Sequence, residues 1–427
     1  MKNSSGLGFS ICCRLADEFL TSSRPSHQTL TIIFTTRSTK KGSDTLARLQ
    51  EHLNSNTDLN PTDKKRVTFV PENVDLCDLV SVRTLSRRVL RDFPKLDAIV
   101  LNAGLGGWTG IDWPRAVFGV LTDLVHEVSW PSYKIAPAGV VTERQIAQGE
   151  KGVEEEEEEP RLGMVFCANV FGHYMLAHNV MPLLKRSGTN GAGTGAGGRV
   201  IWVSSLEATV NFFDVNDIQG LRTTSAYESS KALTDILALT SNLPSTAPWV
   251  KSFYSVDDDN TTTPNTYLSH PGICGTTILP LPLPCFYAMI AIFWFARLLG
   301  SPWHTLSTYL GACAPVWLAI SAQPDLDDAE APYLRHGGGR AKWGSGYDLF
   351  GSGPACHPAS TEVDGWGYGG VVGSAVVDAD RWRRRKRGAR DLEAEEKTRF
   401  EELGRECWRQ MEELRIRWDG LLDKAGV

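Results

Sequence analysis

From residue 9 to residue 241, apolar and polar positions alternate between two rhythms. Short β-branched runs predict buried strands, and apolar residues three or four positions apart predict helices. The predicted strands cover 30–36, 67–70 with the VDL that follows, 96–102 and 198–205. The predicted helices cover 9–20, 45–54, 79–93, 164–184 and 226–241. This order predicts an α/β fold with a parallel sheet covered by helices on both faces.

Three segments break this rhythm. Residues 105–160 form an insert that is too long for an ordinary connection and contains Trp and Tyr residues that predict local packing. The insert ends in six glutamates at 154–159, which predict a solvated segment, with an acidic docking tag as the alternative. Residues 189–198 are rich in Gly, Ala and Thr and predict a flexible loop. Residues 325–377 are Gly-rich and weakly patterned, so we expect them to be irregular.

A hydrophobic segment at 278–300 follows the α/β pattern. Its uninterrupted apolar part, 285–296, is 12 residues long, whereas a membrane-spanning helix needs about 20. Prolines at 280, 282 and 284 would also break a longer span. Trp294 and Arg297 suit a membrane–water boundary, so we favour a monotopic membrane contact. A core or substrate-lid helix and a true span are the alternatives.

The C-terminal region carries a basic run and an apolar stripe. Residues 381–390 contain seven basic side chains, which predict a solvated run, with contact to anionic lipid or nucleic acid as the alternative. Apolar residues from Phe400 to Leu421 recur every three or four positions, which predicts a helix that packs against its own domain, with a partner-binding coiled coil as the alternative. We therefore divide the chain into an α/β unit (1–277), a hydrophobic segment (278–320) and a poorly structured extension (321–427).

Composition and charge exclude several classes of protein. Of the 427 residues, 42% are hydrophobic and 22% are charged, which excludes a wholly disordered chain, a coiled coil and a polytopic membrane protein. The net charge of −6 offers no basic field for nucleic acid, so we expect no nucleic-acid partner. Nine scattered cysteines without zinc spacing predict no metal site and a reducing, cytosol-facing compartment. The N-terminus lacks the apolar region of a signal peptide.

The strongest chemical signal is a tyrosine four residues before a lysine. Tyr227 and Lys231 share one face of a predicted helix, where the ammonium lowers the pKa of the phenol and can also hold a ribose. Ser204 and Ser205 end an apolar strand, at the edge where open α/β sheets bind ligands. A serine hydroxyl there could hold a carbonyl oxygen while Tyr227 protonates it.

Further signals occur in a consistent order along the chain. Glycines at the start of the first helix allow a pyrophosphate to approach its positive end. Polar residues then follow two predicted strands and lie within the long helix, and a Pro-Gly pair follows the short segment TYLSH, which could be the next strand. In chain order these residues are Gly6, Leu7 and Gly8, Asp75, Asn102 with Ala103 and Gly104, Asn169, Pro271 and Gly272, and Thr276.

Together these motifs resemble the short-chain dehydrogenase/reductase family, whose fold is a Rossmann-type doubly wound parallel sheet. The resemblance covers roughly residues 3–280 and the hydrophobic helix. The segments NAGLGGWTGIDWP, FCANVFGHYMLAH, IWVSSLEAT, TSAYESSKALTDIL and LSHPGICGTTI look like fungal 3-ketosteroid (3-keto sterol) reductases of the ergosterol pathway. The likeness implies NADPH-dependent reduction of a sterol C-3 ketone during C-4 demethylation.

The resemblance implies a role for each matching residue. Tyr227 is the expected proton donor, and Lys231 lowers its pKa and binds the ribose. Asn169 supports a proton-relay water, and either Ser205 or Ser204 polarises the ketone. Arg37 suits a 2′-phosphate, which favours NADPH over NADH. The expected cofactor contacts are Gly6, Leu7, Gly8, Thr36, Arg37, Asp75, Asn102, Tyr227, Lys231, Ile273 and Thr276.

The resemblance also implies a location and partners. A reductase of this kind is expected at the cytosolic face of the endoplasmic reticulum membrane or on lipid droplets, beside other sterol C-4 demethylation enzymes. Aromatic residues of the insert could line a sterol pocket. Two rival functions stay open: reduction of another apolar carbonyl, such as a steroid or retinoid, and a non-catalytic scaffold subunit. Titration with NADPH separates a reductase from a scaffold.

One motif departs from the family pattern. The family's TGxxxGxG motif follows a buried strand in the middle of the sheet, whereas Met1 and Lys2 stand here at the positions of its Thr and first Gly. We therefore expect the first strand to be missing, which exposes pairing groups on its two neighbours. Either the gene model begins one exon late or the chain is a degraded family member, and we favour the first explanation.

Overall fold

The computed structural model describes most of the chain. The described residues are 6–57, 59–146, 159–189, 197–255, 263–276, 278–279, 281–348, 355–374, 385–386 and 388–427. Five of the six glutamates at 154–159, most of the loop at 189–198 and half of the basic run at 381–390 therefore lie outside the described residues.

The strands predicted from the sequence are all present. In chain order the strands of the described residues are β1 (Leu30–Thr36), β2 (Val67–Asn73), β3 (Ala98–Leu101), β4 (Gly110–Ile111), β5 (Lys134–Ile135), β6 (Arg199–Val203), β7 (Asn265–His270), β8 (Lys342–Tyr347) and β9 (Cys356–Thr361).

These strands form three sheets. β1 and β2 pair in parallel, with Leu30 opposite Val67. The order β3-β6-β7-β8-β9 forms a second sheet, parallel except for β9, and β4 and β5 form a small antiparallel hairpin. Among the described residues no strand joins β1 to β3, so the parallel strands are divided in two.

Helices surround the sheets, and most lie where the hydrophobic periodicity predicts them. They are α1 (Leu7–Thr21), α2 (Thr39–Ser55), α3 (Pro61–Lys64), α4 (Leu79–Asp92), α5 (Trp113–Thr122), α6 (Leu124–Ser129), α7 (Met164–Phe166), α8 (Gly172–Asn179), α9 (Met181–Lys185), α10 (Ala226–Thr240), α11 (Ala247–Phe253), α12 (Leu283–Leu298), α13 (Thr308–Gly311), α14 (Cys313–Ile320), α15 (Gln323–Arg335) and α16 (Ala394–Lys424). The long helix predicted at 164–184 is interrupted by a π-helical turn, Cys167–Phe171, and by a break at Val180.

The helices cover both faces of the sheets, as predicted. α14 packs on β3, β6, β7 and β8 and contacts α1, while α10 packs on β7 from the side that also holds α4 and α8. α16 lies on α10, where Trp408, Met411 and Trp418 enter the main core beside Tyr174. The prediction that the C-terminal apolar stripe packs against its own domain is therefore confirmed.

The expectation of an irregular, poorly structured region at 325–377 is wrong. This region contributes α15 and two strands of the main sheet, β8 and β9. Gly344, in β8, is a close-packing position within the sheet: a Cβ there would come 2.2 Å from the ring of His270 and 2.5 Å from that of Trp303. Since such glycines lack apolar side chains, they hide the strand from a hydrophobicity pattern.

The hydrophobic segment forms a helix, α12, as expected, but Arg297 does not lie at a polar boundary. It is 4% exposed, its Nε donates to the carbonyl of His304 at 2.8 Å, and its guanidinium lies 3.6 Å from the centre of the Tyr347 ring. Among the helices that the structure describes, none is both long and apolar enough to cross a bilayer.

Two described cations of the basic run are bound by the chain's own carboxylates. Arg385 pairs with Glu362 at 2.9 Å and with Asp391 at 3.1 Å, and Lys386 pairs with Asp364 at 3.0 Å. These two side chains therefore join the C-terminal region to the residues after β9.

Candidate active site

The structure brings Tyr227 to Ser205. Tyr227 lies in the first turn of α10, and Ser205 follows the carboxyl end of β6. Burial and the charges of Glu207 and Glu228 raise the pKa of Tyr227 well above its usual value, and the nearby Ser205 hydroxyl opposes this shift. Ser204 faces elsewhere, because its hydroxyl donates to the carbonyl of Lys231 at 3.4 Å. Of the two serines, only Ser205 is therefore placed to share a carbonyl oxygen with Tyr227.

Lys231 lies one turn beyond Tyr227 and is almost fully buried. Its Nζ donates to the carbonyl of Val203 at 2.9 Å and lies 5.9 Å from the centre of the Tyr227 ring. Burial lowers the pKa of Lys231 to about 8; Asp235 opposes this shift, and Lys342 adds to it. The charge on Lys231 is therefore sensitive to its neighbours, whereas a lowering of the Tyr227 pKa by Lys231 stays a prediction.

Asn169 connects two loops of the site. It lies on the π-helical turn, a feature often found at functional sites. Its Oδ1 accepts from the N–H of Leu105 at 2.8 Å, and its Nδ2 donates to the Leu105 carbonyl and the Ser230 hydroxyl, both at 3.0 Å. A Cβ on Gly104 would come 2.6 Å from Asn169 Oδ1, so glycine is required for this approach. The side chain predicted for proton relay therefore holds the loop after β3 against α10.

His173 supports the same loop. Its Nε2–H donates to the carbonyl of Ala103 at 2.7 Å, and burial lowers its pKa to about 4. The neutral imidazole is therefore a structural donor. Among the described residues no group of three or more metal-ligating side chains occurs.

The predicted cofactor residues line the carboxyl edge of both parallel sheets. Gly6 caps the N-terminus of α1, and a Cβ on Gly8 would come 3.1 Å from Nδ2 of Asn102, which follows β3. The start of α1 thus lies against the end of β3 with little space for a side chain at Gly8. Backbone N–H groups at a helix N-terminus bind phosphate well, so these residues fit the pyrophosphate of a dinucleotide.

Other cofactor candidates lie further along this edge. Thr36 is the last residue of β1, and its hydroxyl donates to the Ser38 carbonyl at 2.9 Å. Arg37 follows it and is exposed. Asp75 follows β2, and its Oδ1 accepts from the N–H of Cys77 at 2.9 Å. An exposed guanidinium at this position fits a 2′-phosphate.

Ile273 and Thr276 follow β7, which lies on the other side of β6 from β3. Ile273 is fixed by two backbone bonds, from its N–H to the Trp303 carbonyl at 2.6 Å and from the Leu306 N–H to its carbonyl at 3.1 Å. Thr276 lies three residues later and is half-buried. Every predicted site residue therefore lies at one edge, although their roles stay predictions.

Comparisons with known proteins identify the family. A 3-keto-steroid reductase, erg27, of Aspergillus fumigatus is 66% identical to this chain, over 99% of the chain and 93% of the relative. The 3-keto-steroid reductase ERG27 of Gibberella zeae is 37% identical, over 98% of the chain and 93% of the relative. The chain belongs to the 3-keto-steroid reductase family. No family model matches it.

Membership of the 3-keto-steroid reductase family confirms the resemblance to fungal 3-ketosteroid reductases that the sequence motifs indicated. Among solved structures, a 7α-hydroxysteroid dehydrogenase complexed with NADH and 7-oxo glycochenodeoxycholic acid is 15% identical. The structural alignment covers 74% of this chain and 83% of the dehydrogenase, with a TM-score of 0.40.

The insert of this family member contributes residues that sequence reasoning missed. Lys134, on β5, is buried and pairs with both Glu207 and Glu228, the latter at 3.0 Å. Its Nζ also lies 4.0 Å from the centre of the Trp108 ring, which in turn lies 4.8 Å from that of Tyr227. The insert therefore forms a wall beside the phenol of Tyr227. Its tryptophans were noted in the sequence, but no short-range pattern marks the lysine.

Proposed function

We propose that the chain reduces the C-3 ketone of a sterol intermediate to the 3-hydroxy sterol, with NADPH, in ergosterol biosynthesis. The chain is an oxidoreductase of the 3-keto-steroid reductase family, and its relative from Aspergillus fumigatus carries that name. The observation that carries the proposal is the grouping of Ser205, just after β6, with Tyr227 and Lys231 of α10, whose buried Nζ lies 5.9 Å from the centre of the Tyr227 ring.

The reaction needs a hydride and a proton, and NADPH supplies the hydride when it is bound. The Ser205 hydroxyl can donate to the ketone oxygen and so polarise the carbonyl. The Tyr227 O–H can then give its proton to the oxygen as negative charge develops there. The Lys231 ammonium favours the resulting phenolate. Trp108 restricts water on the insert side of the phenol.

Cofactor specificity is a further part of the proposal. The first turn of α1, with Gly6 and Gly8, would hold the pyrophosphate, and Asn102 would meet the adjacent ribose. Arg37 would pair with the 2′-phosphate that distinguishes NADPH from NADH.

Turnover with a detergent-solubilised 3-keto sterol tests this function. We expect consumption of NADPH and a 3-hydroxy sterol by mass spectrometry, with little product from retinal or a steroid whose only ketone is at C-17. Preference for retinal or the C-17 ketone would replace the sterol assignment with another carbonyl. NADPH binding by titration without turnover of any ketone would contradict the reductase, and absence of NADPH binding would favour a scaffold.

We also propose that the enzyme docks on the cytosolic face of the endoplasmic reticulum membrane or on lipid droplets without crossing it. One face of α12 is exposed and carries no charge; its members are Leu283, Pro284, Tyr287, Ala288, Ala291, Trp294, Phe295, Leu298 and Leu299. The insert helix α5 adds exposed Trp113, Val117, Phe118 and Leu121, and α6 contacts both helices. An uncharged apolar face of this kind suits a lipid surface. Other sterol C-4 demethylation enzymes would share that surface, since they exchange equally insoluble intermediates.

Sedimentation with vesicles of uncharged phospholipid tests the docking. Replacing Phe295, Leu298 and Leu299 together with Ser should lower the bound fraction at least about tenfold, because each loses apolar burial in lipid. Phe293 is left intact, since it is buried against Ala296 in the core beneath α12. The matched control replaces exposed apolar residues elsewhere, Phe212, Leu334 and Ile416, with Ser. Equal binding by both triple variants would contradict docking through α12.

A further inference from the structure

A second buried lysine, Lys342, contacts the segment that carries Ser204 and Ser205. Lys342 is the first residue of β8, stands opposite Leu268 of β7 and is 2% exposed. Its Nζ donates to the carbonyl of Ser205 at 2.7 Å and approaches the hydroxyl of Ser204 at 3.5 Å. The segment that carries the carbonyl-polarising hydroxyl is therefore held by a cation from the far part of the chain.

The same ammonium is paired with a buried carboxylate. Asp235, 2% exposed, accepts from Lys342 Nζ at 2.5 Å. Asp235 lies on α10, four residues after Lys231, so both point to the same side of the helix. Enclosing two charges is costly, and a pair of this kind is weak evidence for stability alone. The pair contacts the Ser205 backbone and lies one helical turn from Lys231, which instead suggests a role in the active site.

Asp235 lies near the ammonium groups of Lys231 and Lys342, and its charge affects the pKa of both. Its negative charge favours the charged form of Lys231, whereas Lys342 disfavours it, and burial of all three amplifies the interaction. The other charged or titratable groups near Lys231, Asp235 and Lys342 are Tyr227 of α10, His173 of α8, His270 of β7, Asp364 and Lys386.

We propose that Lys342 and Asp235 are positioning residues for ketone reduction: Lys342 holds the Ser205 backbone in place, and the pair sets the charge on Lys231. This inference deepens the proposed function, since it assigns two more residues to the same reaction. Neither residue touches the reacting atoms. Their effects must therefore pass through Ser205 and Lys231, which gives the proposal a signature that a purely structural pair would lack.

The test measures the pKa of Lys231 directly in the full-length chain. Lysine labelled with ¹⁵N gives ammonium resonances, and the signal of Lys231 is assigned by its loss in Lys231→Met. Lys342→Met removes a cation that lowers the pKa of Lys231, so that pKa should rise by roughly one unit. Asp235→Asn removes the anion, so that pKa should fall by roughly one unit. Shifts in the same direction, or no shift in either variant, would overturn the inference.

Turnover provides the second measurement. In both variants kcat should fall about 10- to 100-fold while the KM for the 3-keto sterol changes less than about threefold, since displacement of Ser205 affects the reaction more than binding. The alkaline limb of the kcat profile should move up in Lys342→Met and down in Asp235→Asn. Lys342→Arg keeps the charge, so the pKa of Lys231 should stay near the wild-type value. This conservative variant provides a measurement if the other variants do not fold. A large shift in that variant would count against the charge argument.

A neighbouring buried pair serves as the control. Arg340 pairs with Glu330 at 2.6 Å, with side chains 15% and 6% exposed, two residues before Lys342. Arg340→Met should lower the melting temperature but leave kcat and the Lys231 titration unchanged. An equal loss of kcat in Arg340→Met would show that Lys342 acts only through stability. If the wild-type chain reduces no 3-keto sterol, the proposed function fails, and the ammonium titration still decides the positioning role.

Discussion

The β1–β2 unit and the five-stranded sheet hold their predicted site residues in different ways. Arg37, at the end of β1, is exposed, and Asp75, after β2, is half-buried. In the five-stranded unit, by contrast, Lys231 is 6% exposed and Asn169 is 2% exposed. The first unit offers groups that a ligand would cover, whereas the second encloses its polar groups before any ligand arrives.

The two units also have separate cores. Phe19, Phe34 and Leu49 belong to a small cluster made by α1, α2 and the β1–β2 pair. The catalytic residues instead stand on elements of the main core, which α16 completes. A highly charged dinucleotide can be bound by exposed groups, but proton transfer needs fixed partners in an environment with little water. We therefore expect changes in the first unit to alter cofactor affinity and changes in the second to alter turnover.

Tyr227→Phe should give the largest effect and the sharpest test of this division. Without the phenolic proton, kcat should fall by about 1,000-fold, while the Kd for NADPH stays within about twofold. Steady-state kinetics and NADPH titration check both values. Tyr309→Phe, which removes a hydroxyl that donates to Asp17 at 2.8 Å far from the site, is the matched control. Near-wild-type kcat in Tyr227→Phe would refute the assignment of the proton donor.

Lys134→Met should break the wall that the insert forms in the second unit. It leaves Glu207 and Glu228 buried without their cation, and their charge further disfavours a phenolate at Tyr227. We expect kcat to fall about tenfold and the melting temperature to drop by several degrees, because an unpaired buried charge is costly. Differential scanning calorimetry and kinetics measure both effects.

The control for Lys134→Met is a surface pair of the same type. Lys95 pairs with Asp97 at 2.7 Å, with side chains 37% and 67% exposed, so Lys95→Met should change neither kcat nor melting temperature noticeably. If Lys134→Met behaved like Lys95→Met, the insert would have no part in the reaction.

Local patterns predicted much of the fold and the centre of the site. β1 begins and ends where the β-branched run does, and Tyr227 and Lys231 share a helix face because their spacing requires it. The choice between Ser204 and Ser205 depended on which hydroxyl faces Tyr227, and a sequence pattern does not contain that direction. Local periodicity identifies elements but not which side chains meet across the sheet.

Long-range contacts account for what the sequence did not reveal. Lys342 meets Ser205 from 137 residues away, and Lys134 meets Glu207 from 73 residues away. Both lysines look like ordinary surface residues in the sequence. β8 escaped prediction because glycines such as Gly344 replace the apolar side chains that would mark a strand, since the His270 ring occupies that space.

Arg37→Asp should give the smallest effect, confined to cofactor choice in the first unit. Replacing a cation by an anion removes the partner of the 2′-phosphate and adds repulsion, so the Kd for NADPH should rise about tenfold while that for NADH changes less than about twofold. The kcat at saturating NADPH should stay near the wild-type value, because the residues around Tyr227 are unchanged. Fluorescence titration with both cofactors measures the ratio. Lys65→Asp makes the same charge change just before β2, at the opposite edge of the sheet, and should leave the ratio unaltered. Equal weakening of NADPH and NADH by Arg37→Asp would mean that Arg37 contacts a group that both cofactors share, and the preference for NADPH would then need another residue at this edge.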